Sequence, residues 1–118
     1  MTLSGKTALV LGGIKGIGKG IALSLAGEGA QVAVTYWDWE EELDRMTADF
    51  AAIGADPLLL PIDLRDTDAI PEMVDRVVDR FGRLDILINN IERGGWPVVH
   101  GPYVREQWDL EMAATLRA

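Results

Sequence analysis

The stretch that decides the fold is LGGIKGIGKG, residues 11–20, which contains five glycines, two lysines and no acidic residue. It overlaps the end of an apolar run, TALVL (7–11), that is typical of a buried β-strand, and it leads into apolar residues at helical spacing. Glycine in such number weakens a helix, so the stretch needs another explanation. At a strand-to-helix corner, bare backbone lets a ligand approach the N–H groups that a helix N-terminus leaves without partners.

The glycine spacing predicts a phosphate site at this corner. The glycines fall as Gly12-x-x-x-Gly16-x-Gly18, and the simpler pattern G-x-G-x-x-G is absent. We expect Gly12 to form a tight turn, Gly16 to let a pyrophosphate approach the backbone, and Gly18 to let the helix pack closely on the strand. The positive end of the helix dipole would attract the anion. The alternative is a glycine-rich turn that holds no ligand.

Apolar runs alternate with helical patterns along the rest of the chain. We predict strands at 7–11, 31–36, 57–62 and 84–89. The apolar stripes of the three helices between them are Ile17, Ile21, Ala22 and Leu25, then Leu43, Met46, Phe50 and Ile53, then Ile70, Met73, Val74, Val77, Val78 and Phe81. A fourth helix is predicted at about 104–117. Strands that are apolar on both faces and separated by helices predict an α/β fold, with a doubly wound parallel sheet in the order 3-2-1-4 and about four helices.

Composition limits the kinds of protein this chain can be. Its 118 residues, 48% hydrophobic and 25% charged, predict one globular domain over 1–118. The absence of a long apolar run and of a signal-peptide pattern predicts a cytoplasmic protein that does not cross a membrane. The chain has no cysteine, which excludes disulfides and cysteine metal sites, and its single histidine, His100, argues against a multi-histidine metal site; no metal ligand is predicted.

Charge is spread unevenly along the chain. The formal net charge is −8, which disfavours binding to nucleic acid or to anionic membranes. The charged residues before Glu28 are all lysines, and all 19 acidic residues lie from Glu28 onward. A cationic glycine loop in an acidic protein suggests a small anionic ligand that binds locally.

Three motifs carry a resemblance to a known family. GGIKGIG follows the first strand, IDLRD (62–66) follows the third, and FGRLDILINN (81–90) surrounds the fourth. Together they resemble the N-terminal, cofactor-binding half of the short-chain dehydrogenase/reductase family, and most of all its 3-oxoacyl carrier-protein reductase type. The resemblance covers essentially the whole chain. It implies a Rossmann-type fold, an NAD(P) cofactor and, for the parent enzyme, hydride transfer between the nicotinamide and a carbonyl or alcohol.

The resemblance also implies which residues contact the cofactor. They are Gly12, Lys15, Gly16, Ile17, Gly18, Trp37, Asp63, Leu64 and Asn90. Asp63 would approach the adenine amino group, or else only cap the turn before the third helix. Asn90 stands at the carboxyl end of a strand, where open α/β sheets bind ligands.

The end of the second strand bears on the choice between NAD and NADP. An acidic residue there binds the ribose 2′-OH of NAD, whereas a basic residue suits the 2′-phosphate of NADP. Trp37 stands where NADP-dependent relatives often have arginine, and Lys15 stands where they often have a basic residue. These residues favour NADP, while Asp38 leaves NAD open.

The sequence departs from the family pattern in several places. Leu11 replaces the usual threonine, and the usual Asn-Asn-Ala-Gly continues here as Ile91 and Glu92. Thr115 stands at the position of the family's active-site asparagine. The family's catalytic Ser and Tyr-x-x-x-Lys are not found, so the sequence suggests the front half of a longer, truncated or cleaved reductase that is inactive by itself.

Two other interpretations stay open. We expect the chain to associate with itself through the fourth helix or through the apolar edge of the fourth strand. The departures from the family pattern favour a second interpretation, in which the chain is a non-catalytic nucleotide-binding or interaction module and not an enzyme. A flavodoxin-like or receiver-like domain shares the α/β layout but does not explain the glycine spacing.

Overall fold

The computed structural model describes residues 2–37 and 39–90. The elements are β1 (Thr7–Leu11), α1 (Gly16–Gly27), β2 (Gln31–Tyr36), a 3₁₀ turn (Glu40–Glu42), α2 (Leu43–Ala52), β3 (Leu58–Pro61), α3 (Ala69–Phe81) and β4 (Ile86–Asn89). The four strands are parallel and lie in the order β3-β2-β1-β4, which confirms the predicted sheet. The predicted fourth helix, at about 104–117, lies outside the described residues.

The third and fourth strands are shorter than predicted. β3 spans 58–61 and not 57–62, and β4 begins at Ile86 and not at residue 84. The register places Ile86 opposite Ala8, and β1 begins at Thr7. Residue 84 would therefore stand opposite Lys6, beyond the end of the partner strand.

The sheet is covered on both faces, because alternate residues of each strand point in opposite directions. Leu9 faces α3 and Val10 faces α1 and α2, and both are at most 1% exposed. The chain moves from β1 through β2 to β3 and then crosses back over the sheet to β4. Because these crossovers are right-handed, α1 and α2 lie on one face and α3 on the other. The doubly wound arrangement thus places the ends of all four strands at one edge.

The buried face of α1 differs from the prediction. Its residues are Gly18, Ala22 and Ala26, while Ile17 is 78% exposed and Ile21 and Leu25 are only half-buried. Small residues at intervals of four let the helix axis approach the sheet closely. Of the predicted stripe, Ala22 is fully buried and Leu25 is half-buried against the core, whereas Ile17 is exposed to solvent.

The stripes of α2 and α3 were predicted correctly except at their margins. Met46 and Phe50 of α2 are fully buried, but Ile53 lies beyond the end of that helix and is 49% exposed. Val77 of α3 is fully buried, whereas Val78 is 41% exposed. A stripe marks the side of a helix that faces the sheet, and residues at its rim remain in contact with solvent.

Candidate functional site

The candidate site lies at the edge of the sheet where the four parallel strands end. The corner from β1 to α1, residues 12–15, is at the centre of this edge. The loop after β2 lies on one side of it and Asn90, directly after β4, on the other. The topology therefore brings the glycine motif, Trp37 and Asn90 to one edge, although they are far apart in sequence.

Thr35 of β2 holds the glycine corner in place. Its hydroxyl oxygen accepts a hydrogen bond from the Gly12 N–H at 3.0 Å, and its carbonyl accepts one from the Gly13 N–H at 3.3 Å. Gly12 has a φ of 76°, which favours glycine. The sequence interpretation did not include Thr35; the available signal was a hydroxyl near the end of an otherwise apolar buried strand.

Gly18 packs against the corner so closely that no side chain fits. A Cβ on Gly18 would lie 2.5 Å from Asn90 Nδ2 and 2.5 Å from the Gly12 carbonyl oxygen. Asn90 Nδ2 in turn donates a hydrogen bond to that same carbonyl at 3.2 Å. Gly12, Gly18 and Asn90 therefore form one contact cluster that ties α1 and the end of β4 to the corner.

Gly16 differs from Gly18, because it faces open space. Its φ is 65°, and a Cβ placed on it would meet no atom of the described residues within 4 Å. Gly16 is the first residue of α1, and the N–H groups of the first turn have no partner within the helix. The side chain of the N-cap residue, Lys15, does not accept a hydrogen bond from them. This arrangement fits a phosphate group, which needs N–H donors, a positive dipole end and backbone without a Cβ in the way.

Lys15 supplies a positive charge at this corner. Its ammonium lies over the ring of Trp39, with the nitrogen 3.2 Å from the ring centroid. The neighbouring Lys19 instead forms an ion pair with Asp49 at 2.5 Å, which links α1 to α2. Lys15 is therefore the better placed of the two lysines to meet an anionic ligand.

Trp39 has an unusual backbone conformation. Among the described residues other than glycine it alone has a positive φ, with φ 65° and ψ 38°. This left-handed conformation costs a residue with a Cβ roughly 1–2 kcal/mol. Its carbonyl accepts the Glu42 N–H at 2.9 Å and so begins the 3₁₀ turn. The sequence interpretation named the exposed Trp37 and overlooked Trp39, since no local pattern marks a tryptophan for this conformation.

Asp63 and Leu64, which follow β3, already have partners within the chain. The Asp63 carboxylate accepts hydrogen bonds from the backbone N–H and the guanidinium of Arg65, at 3.0 to 3.1 Å. Leu64 packs into the core beside Met73 and Val77. The contacts of Asp63 match its turn-capping alternative. Contact of either residue with adenine stays a prediction, and Thr115 lies outside the described residues.

Within residues 2–37 and 39–90, no three His, Cys, Asp or Glu side chains come together in a way that could hold a metal ion. The same part of the chain contains no helix that is both long and apolar enough to span a membrane.

Comparison with known proteins places this architecture. The family model described as short chain dehydrogenase matches residues 6–115. The 3-oxoacyl-(acyl-carrier-protein) reductase FabG of Staphylococcus aureus is 41% identical over 85 residues, which are 72% of this chain and 35% of that protein. A short-chain dehydrogenase/reductase of Serratia marcescens superposes with a TM-score of 0.85 and 33% identity, over 99% of this chain and 47% of its own.

A third similar protein was solved with a nucleotide bound. The short chain dehydrogenase of Burkholderia cenocepacia, in complex with NADP, superposes with a TM-score of 0.86 and 36% identity, over 99% of this chain and 47% of its own. The chain thus spans about a third of the length of its curated relative and about half of each of these solved chains. Because the family model matches residues 6–115 and these solved structures superpose over 99% of the chain, the chain belongs to the short-chain dehydrogenase family.

Proposed function

We propose that this chain binds a nicotinamide dinucleotide at the glycine corner, as the nucleotide-binding part of an oxidoreductase. The observation that carries this proposal is the contrast between two glycines of one helix turn. Gly18 is in tight contact with Asn90 and Gly12, whereas Gly16 leaves open space in front of the uncapped start of α1. A corner that is both rigid and open suits a pyrophosphate.

Each proposed contact has a distinct chemical role. The N–H groups of Gly16, Ile17 and Gly18 would bind the pyrophosphate, and Gly12 and Asn90 would hold the turn in shape. The adenosine would lie between the loops after β2 and β3, where Trp37, Asp63 and Leu64 are. In the parent oxidoreductase, a reduced nicotinamide held here would donate a hydride to the carbon of a carbonyl substrate, and an oxidised one would accept a hydride from an alcohol.

NADP is the proposed preference, with NAD as the alternative. The exposed ammonium of Lys15 supports NADP, because the 2′-phosphate adds negative charge that a lysine can bind. The NADP complex of the Burkholderia cenocepacia relative supports the same choice. The acidic 3₁₀ turn of Glu40–Glu42 acts in the opposite direction, since it repels a phosphate.

Fluorescence titration of the purified chain with NADPH and with NADH tests the proposal. We expect saturable binding, with NADPH the tighter ligand, and loss of binding in Gly16→Val, because the new side chain fills the space meant for phosphate and strains a positive φ. Gly20→Val is the matched control. Gly20 lies in the second turn of α1 and is exposed to solvent, and a Cβ added to it would meet no atom of the described residues within 4 Å. Binding should therefore be retained in this variant. Absence of binding by the unmodified chain, or equal loss in both variants, would contradict the proposal.

The edge of β4 supports a second proposal, self-association. Among the described strands β4 pairs only with β1, and Leu87 in its middle is 60% exposed. An apolar edge with unpaired backbone groups can pair with a second copy. The predicted contribution of the fourth helix concerns residues outside the described range.

Light scattering at rising protein concentration measures this association. We expect Leu87→Lys to shift the chain toward monomer, because a charge on the strand opposes edge pairing. Val78→Lys places the same charge on an exposed residue of helix α3 (41% exposed) and not on a strand, and serves as the control. A monomeric unmodified chain at high micromolar concentration would overturn the second proposal.

A further inference from the structure

We propose that Trp39 is a positioning residue, which holds the Lys15 ammonium at the glycine corner and so sets the preference for NADP over NAD. The inference rests on the proposed function, since it concerns the affinity of that same site. It assigns to Trp39 the recognition of a phosphomonoester, the group by which the two cofactors differ.

The contact between Lys15 and Trp39 is the first observation. The ammonium lies 3.2 Å from the ring centroid, well within the range of a cation–π interaction. A lysine ammonium has three N–H donors, and a ring covers only one side of it. The remaining donors therefore stay available to an anion at the corner.

The backbone of Trp39 is the second, independent observation. The residue adopts a left-handed conformation that is rare for large side chains, although its side chain is not buried in the core and the residue is 51% exposed. Burial therefore gives a poor account of why this conformation persists. The 3₁₀ turn that begins at the Trp39 carbonyl and the Lys15 contact are the interactions that hold it.

The neighbouring charges explain why an aromatic partner matters. Glu40 and Glu41 directly follow Trp39 and are exposed, and Glu42 lies 3.7 Å from Arg45. A carboxylate that paired with Lys15 would cancel its charge. The ring of Trp39 is uncharged, so it immobilises the ammonium and leaves the full positive charge for a ligand. NADH carries the pyrophosphate but no 2′-phosphate, so it gains less from this arrangement than NADPH does.

Dissociation constants for NADPH and NADH, measured for three variants, test the inference. We expect Trp39→Leu to weaken NADPH binding about two- to fivefold, the range of an exposed cation–π contact, and to weaken NADH binding less. Trp39→Phe keeps a ring and should restore part of the preference. Leucine and phenylalanine both carry a Cβ, so both strain the left-handed backbone, and the pair separates the effect of the ring from that of the backbone.

A double-mutant cycle shows whether Trp39 acts through Lys15. In a Lys15→Ala background, Trp39→Leu should cause no further loss of NADPH affinity. The inference is overturned if both nucleotides weaken equally, if Trp39→Phe behaves as Trp39→Leu does, or if the two losses add. An unmodified chain that binds neither nucleotide would instead overturn the proposed function on which the inference depends.

A measurement on the unmodified chain does not depend on the folding of any variant. The Lys15 Hε protons lie near the face of the indole, so ring currents should shift their NMR signals upfield. Addition of NADPH should perturb these signals more strongly than addition of NADH. Signals at ordinary lysine positions would show that the contact does not form in solution, and would overturn the inference.

Discussion

The polar groups at the edge of the sheet where the strands begin have partners within the chain, whereas those at the edge where the strands end are left open to a ligand. At the edge where the strands begin, the Thr7 N–H donates to Asp85 Oδ2 and the Asp85 N–H donates to the Thr7 carbonyl, both at 2.9 Å. Arg83 adds two hydrogen bonds to the same carboxylate, at 2.6 and 2.8 Å. At the edge where the strands end, Gly16 faces open space and Lys15 contacts only an uncharged ring in the described part of the chain.

The difference separates a structural edge from one that can bind a ligand. The Arg83 hydrogen bonds, followed by the Thr7 N–H, lower the pKa of Asp85, so its charge is already stabilised within the chain. The N–H groups at the start of α1 have no such partner. In open α/β sheets, ligands bind at the edge where the strands end. In this chain the N–H groups at the start of α1 lie at that edge and have no partner in the helix, so they can donate to a ligand.

The largest expected effect on stability comes from placing a side chain at Gly18, where the packing leaves no room for one. Gly18→Val should lower the free energy of unfolding by about 1–3 kcal/mol, because its side chain would overlap Asn90 and the backbone of Gly12. Urea denaturation measures the change. Gly20→Ala, two residues further along α1 in open space, should instead add up to about 1 kcal/mol through helix propensity. Equal effects of the two substitutions would contradict the tight packing described for the corner.

A pair of buried threonines compares the two edges directly. Thr35→Val removes the acceptor of the Gly12 N–H and should cost about 1 kcal/mol. Thr7→Val should cost nothing or stabilise, because the buried Thr7 hydroxyl has no hydrogen-bond partner among the described residues. Both residues are at most 1% exposed and lie in strands. The difference between the two changes in free energy of unfolding, measured by urea denaturation, therefore reports on the hydrogen bond. A loss at Thr7 as large as that at Thr35 would show that the hydroxyl at the first edge is also used.

The smallest expected effect is the pH dependence of Asp85. Its pKa is lower in the folded chain than the usual value of about 3.9, so the folded state binds fewer protons. The resulting stabilisation is fully present above the unfolded pKa and is lost as the pH falls through the folded value. Asp85→Asn should therefore destabilise the chain near neutral pH, and the difference should begin to shrink below about pH 4 and disappear below the folded pKa.

Urea denaturation over a pH series measures this difference. Asp56→Asn is the control, since Asp56 pairs with Arg80 on the surface with 80% of its side chain exposed, and such pairs contribute little at any pH. A difference between Asp85→Asn and the unmodified chain that stays constant down to low pH would remove the role given to the carboxylate.

The sheet could be predicted from the sequence because buried parallel strands are continuous apolar runs. The glycine corner after β1 and the helical stripes between the runs then leave few topologies, and the observed order is the one expected. The buried face of α1 could not be predicted from large apolar residues, since Gly18, Ala22 and Ala26 form it. Hydropathy measures how apolar a residue is, whereas close helix packing depends on how small it is.

The part of the candidate site that local motifs mark could be predicted from the sequence. Glycines and a terminal asparagine are visible as motifs, and they do lie at one edge of the sheet. Thr35 carries only a weak signal, a hydroxyl in an apolar strand, and Trp39 carries none, because their roles depend on partners that lie in another element. The Arg65 partner of Asp63 lies two residues away, and its turn-capping alternative was correspondingly visible in the sequence.

The amino-acid sequence of this chain determines the alternation of strands and helices and the position of the glycine corner, because both depend on local periodicity and on backbone freedom. The order of the sheet could be predicted only with the added rules of right-handed crossovers and of a nucleotide site at that corner. Tertiary contacts determine which glycine is tightly packed and which is open, and which lysine remains available to a ligand. These properties arise from distances between residues far apart in the chain: Gly18 is enclosed by Asn90, and Lys19 is neutralised by Asp49 while Lys15 rests on Trp39.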